Sequence, residues 1–182
     1  MRKILAVIGR PGVGKTTLFK KIIDEQKDWV AKEPVKLVPT LYNEKFDCHI
    51  LGKYEEGEIF AGTDRMSMAV QPAAVDFISN CTSNILFEGD RLTNSKFFDF
   101  LSSLPDTEFK IIVLTADEKL LTERYSDRGS DQSETFLKGR KSKISNIQTN
   151  MDFLFITETY NNNNLNDQKI ILEEINSFLF WL

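Results

Sequence analysis

A glycine-rich loop near the start of the chain has the residue types and spacing of a phosphate-binding site. In the segment "GRPGVGKTT" (9–17), every fixed position of the pattern G-x-x-x-x-G-K-[ST] is filled, by Gly9, Gly14, Lys15 and Thr16. Glycines let backbone N–H groups turn towards phosphate oxygens, the lysine reaches the β- and γ-phosphates, and the hydroxyl binds Mg²⁺. The pattern therefore predicts that the loop binds ATP together with Mg²⁺.

The remaining residues of this loop are predicted to line the same phosphates. Between the fixed glycines these are Pro11, Gly12 and Val13. Thr17 either contacts the α-phosphate or caps the helix that follows. An apolar run at 4–8 precedes the loop, and helical spacing of apolar residues follows it over 16–29. Strand, loop and helix in this order are the context that the motif requires.

A second set of candidates follows the apolar segment "NILFE" (84–88). A carboxylate at the carboxyl end of a buried strand faces the crevice in which open α/β sheets bind ligands. Glu88, with Asp90 as the second candidate, could order the Mg²⁺ shell or accept a proton from an acceptor hydroxyl. Arg91 is a candidate for pairing with a phosphate through its planar fork. The alternative is a solvated Glu–Arg pair at a surface strand end.

The segment "GTDRMS" (62–67) contains a further carboxylate and two potential ligand contacts. Asp64 is the carboxylate, and Arg65 and Ser67 are candidate partners for an anion or a hydroxyl. Gly62 allows a tight turn before them. The alternative is a helix-capping loop in which Asp64 or Ser67 is the N-cap.

Basic residues over 124–143 have the arrangement of a lid that closes over a nucleotide. Arg124 and Arg128 are four residues apart in a helical segment, so they share a face. Arg140 lies in a second helical segment beyond a polar stretch that contains Gly129. Such arginines can reach a transferring phosphoryl group when a lid closes. Because acidic residues are mixed in, the alternative is a charged solvent face.

Composition limits the class of protein. The 182 residues are 41% hydrophobic and 27% charged, which is typical of one ordinary globular domain. The formal net charge of −4 argues against indiscriminate coating of nucleic acid, although a local basic patch can coexist with it. A single histidine, His49, excludes a multi-histidine metal site. With neither a signal peptide nor an apolar membrane span, we expect a cytoplasmic protein, in the host cytoplasm if phage-encoded.

The apolar pattern predicts a parallel sheet covered by helices on both faces, because short apolar strands alternate with amphipathic helices. The segments "VKLVPTLY" (35–42) and "FDCHILGKY" (46–54) are predicted to pair as a hairpin. The segment "DFLFIT" (152–157) is predicted to be the last strand. Four consecutive asparagines at 161–164 are predicted to form a solvated loop before the final helix.

Taken together, these segments resemble the nucleoside and nucleotide kinase group of P-loop proteins. The likeness is carried by "GRPGVGKTT", by the strand ending "FEGDR", and by "TADEKLLTERYSDRG…SETFLKGRKSKI", which is similar to the lid region of that group. The resemblance implies an ATP-dependent kinase whose single domain (1–182) is a three-layer α/β/α sandwich. It implies five parallel strands in the order 2-3-1-4-5, and a lid that carries Arg128 and Arg140.

A narrower resemblance concerns the acceptor. The segments "ILGKYEEGEIFAGTDRMSMAVQP" (50–72) and "EGDRL" (88–92) are similar to bacteriophage P-loop kinases that phosphorylate 5-hydroxymethyluracil within DNA. This likeness implies a base hydroxyl as the acceptor, Asp64 as its base or orienting group, and Arg65 as a phosphate contact. A nucleoside monophosphate kinase and a P-loop ATPase switch without a small-molecule acceptor remain the alternatives.

Two acidic segments beside a phosphate loop themselves favour a hydroxyl acceptor. A hydroxyl that attacks the γ-phosphate benefits from a carboxylate within hydrogen-bond reach, whereas an anionic acceptor is repelled by a second carboxylate. Glu88 and Asp64 are therefore predicted to lie on opposite sides of the acceptor. The predicted catalytic set is Lys15, Asp64, Glu88 and Arg128. The predicted acceptor contacts are Asp64, Arg65, Ser67, Arg91 and Arg140.

Overall fold

The computed structural model describes residues 1–58, 60–127 and 133–180. Within these ranges seven strands are present: β1 (Arg2–Gly9), β2 (Val30–Val35), β3 (Val38–Asn43), β4 (Cys48–Leu51), β5 (Asn84–Glu88), β6 (Thr107–Thr115) and β7 (Thr157–Asn161). They form one sheet in the order β2-β3-β4-β5-β1-β6-β7.

The core of this sheet is parallel. Strands β4, β5, β1, β6 and β7 run in the same direction, with Leu5 of β1 paired in register to Leu86 on one side and Lys110 on the other. When only these five parallel strands are numbered in chain order, their order across the sheet is 2-3-1-4-5, as predicted. The prediction of only five strands is wrong, because β3 pairs antiparallel with β4 and β2 extends the sheet beyond it. Lys32, Glu33 and Pro34 interrupt the apolar pattern of β2, which explains why it was missed.

Helices cover both faces of the sheet, as predicted. They are α1 (Lys15–Gln26), α2 (Val70–Asn80), α3 (Ser95–Ser102), α4 (Glu118–Asp127), α5 (Glu134–Gln148) and α6 (Leu165–Leu179). Leu5 and Val7 of β1 pack with the apolar residues of α1 and α6, whereas Ile4, Ala6 and Ile8 pack with those of α2, α3 and α5. Residues 4–8 of this strand are all apolar because both faces of the strand are buried there. None of the helices in the described ranges is long and apolar enough to cross a membrane.

The segment predicted as the last strand is instead a 3₁₀ helix, Met151–Ile156, and β7 begins directly after it. The Asn150 side chain caps this helix by accepting a backbone N–H. Phe153 is buried against Phe98, with ring centroids 6.0 Å apart, whereas Phe155 is 96% exposed. The prediction was wrong because the composition of the run is apolar, while only part of it faces the core.

Parallel topology brings the carboxyl ends of β1, β5, β6 and β7 to one edge of the sheet. The glycine-rich loop follows β1, the "GDR" turn (89–91) follows β5, and Asn162 follows β7. Ligands of open α/β sheets bind at this edge. The elements that carry the predicted site residues therefore meet at the same place.

Candidate active site

The phosphate loop joins β1 to α1, and glycine is required at several of its positions. Gly12 and Gly14 have φ angles of 80° and 93°, which L side chains rarely adopt. A Cβ atom on Gly9 would lie 2.6 Å from the carbonyl oxygen of Leu114 in β6, so no side chain fits there. The loop ends at the N-terminus of α1, where free N–H groups and the helix dipole favour an anion.

Lys15 is the first residue of α1, and its ammonium group turns back over the loop. The Nζ atom donates hydrogen bonds to the carbonyl oxygens of Gly9, at 2.9 Å, and Arg10, at 3.1 Å. A positive charge is therefore held beside the backbone that would surround a phosphate. Thr17 is exposed on the first turn of the helix, and its nucleotide contact remains a prediction.

Thr16 connects the phosphate loop to the end of β5. Its hydroxyl donates to the Oε1 atom of Glu88 at 3.0 Å. Glu88 is only 1% exposed, and burial raises the pKa of its carboxyl to about 7. The Lys15 ammonium and the Thr16 hydroxyl lower that pKa, while the charge of Asp64 raises it further. The carboxyl is thus poised between its charged and neutral forms near neutral pH.

The Thr16 hydroxyl and the Glu88 carboxylate are hard oxygen donors, which Mg²⁺ prefers. Mg²⁺ at kinase sites is held by one or two protein oxygens together with phosphate oxygens and waters. Among the described residues, no group of three or more His, Cys, Asp or Glu could hold a metal by itself. The donor set therefore fits an ion shared between the protein and a nucleotide.

Two glycines let the loop at 62–67 approach this carboxylate. A Cβ atom on Gly62 would lie 2.6 Å from the Oε1 atom of Glu88, and one on Gly52 would lie 2.1 Å from the backbone of Gly62. Backbone hydrogen bonds between Lys53 and Gly62 fix the two segments to each other. The Tyr54 hydroxyl is buried close to Glu88, and burial raises the pKa of that phenol well above its usual range.

Asp64 lies beside the turn that follows β5. Its Oδ1 atom accepts the backbone N–H of Asp90 at 2.7 Å, and a Cβ atom on Gly89 would lie 3.2 Å from that same oxygen. The structure therefore brings the two predicted carboxylates, Asp64 and Glu88, to the same end of β5. The contact of Asp64 with the backbone also gives this side chain a structural role in holding the turn.

The two predicted ligand contacts of the loop, Arg65 and Ser67, have local partners. Arg65 forms ion pairs with Glu55 at 3.1 Å and Glu58 at 2.9 Å. Ser67 is exposed, and its hydroxyl accepts the backbone N–H of Ala69 at 3.2 Å, just before α2. This contact is a local turn and not a helix cap, because the N-cap residue of α2 is Ala69, which has no side-chain cap. Acceptor contacts by Arg65 and Ser67 remain predictions.

Asp90 forms ion pairs with two basic residues of α5. Arg140 forms an ion pair with its Oδ2 atom, and Lys143 approaches its Oδ1 atom at 3.0 Å. Arg91 contacts the Sδ atom of Met68 and donates to the carbonyl oxygen of Asp64 at 3.4 Å. Arg140 and Arg91 therefore lie beside the two acidic segments, although sequence patterns did not predict the Asp90 contacts.

The first predicted lid arginine is bonded to the phosphate loop itself. Arg124 donates to the carbonyl oxygens of Gly12 at 2.9 Å and Asn162 at 3.1 Å. The neighbouring Tyr125 hydroxyl donates to the carbonyl oxygen of Pro11 at 2.7 Å. Helix α4 thus supports the loop from outside. Arg128, the second predicted lid arginine, lies outside the described residues.

Asn162 is a site residue that the sequence did not reveal. It is 3% exposed, and its amide donates to the carbonyl oxygen of Val13 at 2.7 Å. A Cβ atom on Gly14 would lie 2.5 Å from that amide nitrogen. The prediction of a solvated loop for 161–164 is therefore wrong for Asn162, and Asn161 is the last residue of β7, while 162–164 do connect to the final helix. Asparagines are common in loops, and nothing in their repetition shows that one packs against a segment 149 residues earlier.

Comparison with known families agrees with this geometry. A profile of the P-loop Nucleotide Kinase3 family matches residues 1–166. The chain belongs to this family of P-loop kinases. It is therefore an ATP-dependent kinase.

A solved structure of low sequence identity shows the same fold. The chain is similar to a sugar kinase from Janibacter sp. HTCC2649, at 15% identity over 98% of this chain and 95% of that one, with a TM-score of 0.52. It is also similar to a gluconokinase from Sinorhizobium meliloti 1021, at 13% identity over 96% and 97% of the two chains, with a TM-score of 0.49. A search of curated proteins gives no significant match.

Proposed function

We propose that this kinase transfers the γ-phosphoryl group of ATP to a hydroxyl, and that the acceptor is the hydroxyl of 5-hydroxymethyluracil in DNA. The observation that carries the hydroxyl acceptor is the convergence of two acidic segments beside the phosphate loop. Glu88 is bonded to Thr16 of that loop at 3.0 Å, and Asp64 is bonded to the turn directly after Glu88 at 2.7 Å.

The nucleotide would be bound by residues 9–17, with Lys15 neutralising the charge of the β- and γ-phosphates. Phosphoryl transfer needs little covalent chemistry from the protein, so positioning and charge neutralisation supply most of the rate. When bound, Mg²⁺ neutralises phosphate charge. Thr16 and Glu88 would hold it. Arg124 and Asn162 would keep the loop in shape through its carbonyl groups, because both hold those groups from outside.

The acceptor hydroxyl would lie near Asp64, which accepts or orients its proton while the oxygen attacks phosphorus. In the described structure the neighbouring cations are already balanced by acids. Arg65 is paired with two glutamates, and Arg140 and Lys143 share Asp90. This balance suits a neutral hydroxyl better than the dianionic phosphate that a monophosphate kinase must accept.

The proposal that this hydroxyl belongs to a DNA base rests on a resemblance. Residues 50–72 and 88–92 are similar to phage kinases that phosphorylate 5-hydroxymethyluracil within DNA. A nucleoside monophosphate kinase is the second candidate. Arg91, Arg140 and Lys143 all lie around the "GDR" turn, and they could face an acceptor phosphate if the Asp90 ion pairs opened. A P-loop ATPase switch is the third, and it needs neither of the two acidic segments.

One assay separates these functions. ATP labelled on its γ-phosphate is incubated with DNA containing 5-hydroxymethyluracil, with the same DNA containing thymine, and with deoxynucleoside monophosphates. We expect label on the hydroxymethyluracil DNA and none on thymine DNA, which differs only by the accepting hydroxyl. The Lys15→Ala variant is the blank for contaminating kinases.

Each of the other outcomes identifies a different function. Label on monophosphates would favour the nucleotide kinase and overturn the DNA acceptor. Release of inorganic phosphate alone, stimulated by a protein partner, would favour the switch.

A further inference from the structure

Tyr54 lies between the phosphate loop and the loop at 62–67, and its ring is fixed from two directions. The residue before it, Lys53, is bonded through its backbone to Gly62. The ring of Tyr54 stacks on that of Phe19 in α1, with centroids 5.9 Å apart and an angle of 9° between the planes. Phe19 is fully buried and lies one turn after the start of that helix. Tyr54 therefore has little freedom to move away from the site.

The hydroxyl of Tyr54 is buried beside two carboxyl groups. No atom of the described residues is placed to form a hydrogen bond with its oxygen, although that oxygen has almost no exposed surface. Burial raises the pKa of this phenol, and the charges of Glu88 and Asp64 raise it further, so both carboxylates are near. Buried hydroxyls are rarely left without a partner. The phenol is thus a donor beside the site whose proton is not committed to another group.

Glu88 is the carboxylate that gains most from a second donor. The Thr16 hydroxyl donates to its Oε1 atom at 3.0 Å, and one hydrogen bond does not fix the plane of a carboxyl group. Burial raises the pKa of Glu88, and the Tyr54 hydroxyl is one of the groups that lower it, as expected of a nearby donor. A phenol also adds no positive charge that would repel a metal ion. Asp64, by contrast, already accepts the backbone N–H of Asp90 at 2.7 Å.

We propose that Tyr54 is a positioning residue, whose phenol donates to the Glu88 carboxylate and holds it in the orientation in which Glu88 and Thr16 bind the metal of the nucleotide. This proposal rests on the proposed function and deepens it, because that function assigns the metal to those two residues. Groups that orient a metal-ligating carboxylate typically change metal affinity or activity roughly 10- to 100-fold when they are removed. An effect of that size is measurable.

A single substitution removes the donor and leaves the packing. Tyr54→Phe keeps the ring on Phe19, and the thermal stability of the protein without nucleotide should not fall, because the lost hydroxyl has no bonded partner among the described residues. Tyr42→Phe is the matched control. The Tyr42 hydroxyl donates to a carboxylate, that of Asp47, at 3.0 Å, but it does so beside the start of β4, at the opposite edge of the sheet.

The test measures nucleotide binding as well as turnover. Binding of a non-hydrolysable ATP analogue is followed by calorimetry in EDTA and at increasing Mg²⁺ concentrations. For Tyr54→Phe we expect the half-saturating Mg²⁺ concentration to rise roughly 10-fold or more, while the affinity in EDTA stays the same. In the labelled-ATP assay at fixed Mg²⁺, kcat should fall and KM for the acceptor should not change. Tyr42→Phe should match wild type in every measurement.

A double variant shows whether the effect passes through Glu88. Glu88→Gln removes the charged oxygen, so adding Tyr54→Phe to it should cause no further loss of Mg²⁺-dependent binding. Equal and independent losses would show that the phenol acts on another group.

Three results would overturn the positioning role. They are an unchanged Mg²⁺ dependence in Tyr54→Phe, independent losses in the double variant, and a change confined to KM for the acceptor, which would place the phenol on Asp64. Failure of the wild-type protein to transfer label to hydroxymethyluracil DNA overturns the proposed acceptor instead. The calorimetry uses no acceptor, so the two failures are distinct.

Discussion

The proposed nucleotide side of the site and its proposed acceptor side are held by different kinds of contact. The nucleotide side, residues 9–17 with their supports, is held mainly by hydrogen bonds to backbone carbonyls, which come from Lys15, Arg124, Tyr125 and Asn162. The acceptor side, residues 62–67 and 88–91 with the facing part of α5, is held largely by ion pairs between side chains.

This difference has a physical consequence. Backbone geometry around a phosphate depends on glycines and on one helix terminus, so few sequences can build it. Ion pairs between side chains can be exchanged one residue at a time while the backbone remains in place. We therefore expect substitutions on the nucleotide side to abolish turnover, and those on the acceptor side to change which acceptor is used and how well.

The largest effect is expected from Lys15→Ala. Its ammonium is the charge beside the predicted positions of the β- and γ-phosphates, and loss of one such stabilising group costs roughly 100- to 1,000-fold in kcat. The circular dichroism spectrum should not change, because Lys15 is only partly buried. Lys169→Ala, at a lysine that is 74% exposed on α6, is the control. Wild-type turnover in Lys15→Ala would contradict the proposal that residues 9–17 bind the nucleotide.

Asp64→Asn tests the chemistry of the acceptor side without removing its structural contact. The amide oxygen can still accept the backbone N–H of Asp90, so the turn should stay in place. Loss of the base is expected to lower kcat roughly 100-fold, while ATP affinity stays the same. Asp99→Asn, on an exposed position of α3, is the control. Full activity in Asp64→Asn would show that Asp64 holds the turn and takes no part in catalysis.

Gly62→Ala tests how closely the two sides must approach. The added Cβ would lie 2.6 Å from Oε1 of Glu88, at a φ of 66°. We expect a loss of roughly 1–3 kcal/mol in the free energy of unfolding, together with lower turnover. Gly57→Ala is the matched control, because its φ is 77° and nothing lies within 4 Å of the added Cβ. Equal losses in both variants would show that only backbone strain matters.

The smallest effect is expected in the pH dependence of stability. Burial raises the pKa of Glu88 to about 7, so the folded protein holds this proton more tightly than the unfolded chain does. Its stabilising contribution is complete at low pH and is lost as the pH rises through about 7. Glu88→Gln avoids this loss. Without nucleotide and metal, the Tm of the variant relative to wild type should rise by a few degrees between pH 5 and pH 8. A constant difference would contradict the buried, uncharged form.

Local patterns in the sequence predicted the parts of the molecule that are themselves local. The phosphate loop follows from four residues at fixed spacing, and the parallel strands follow from apolar runs that must be buried on both faces. Strand β2 escaped prediction because Lys32, Glu33 and Pro34 interrupt its apolar pattern and because it is held by pairing with β3. The 3₁₀ helix Met151–Ile156 escaped because composition does not show how much of an apolar run reaches the core.

Long-range contacts account for most of what was missed in the site. The sequence indicated Asp64, Glu88 and Arg140 as candidate site residues. It did not indicate that Asp90 contacts both Asp64 and Arg140. The close approach of Gly52 to Gly62 depends on the path of two loops. Such contacts arise from tertiary structure, and spacing along the chain carries no information about them.

The bond between Asn162 and Val13 has a consequence for the order in which the protein becomes functional. The loop at 9–17 is made before Arg124 and Asn162, which hold its carbonyl groups. The chain must be made as far as Asn162 before this loop has its final surroundings. Binding of ATP by a growing chain would report that β7 has already docked onto the sheet.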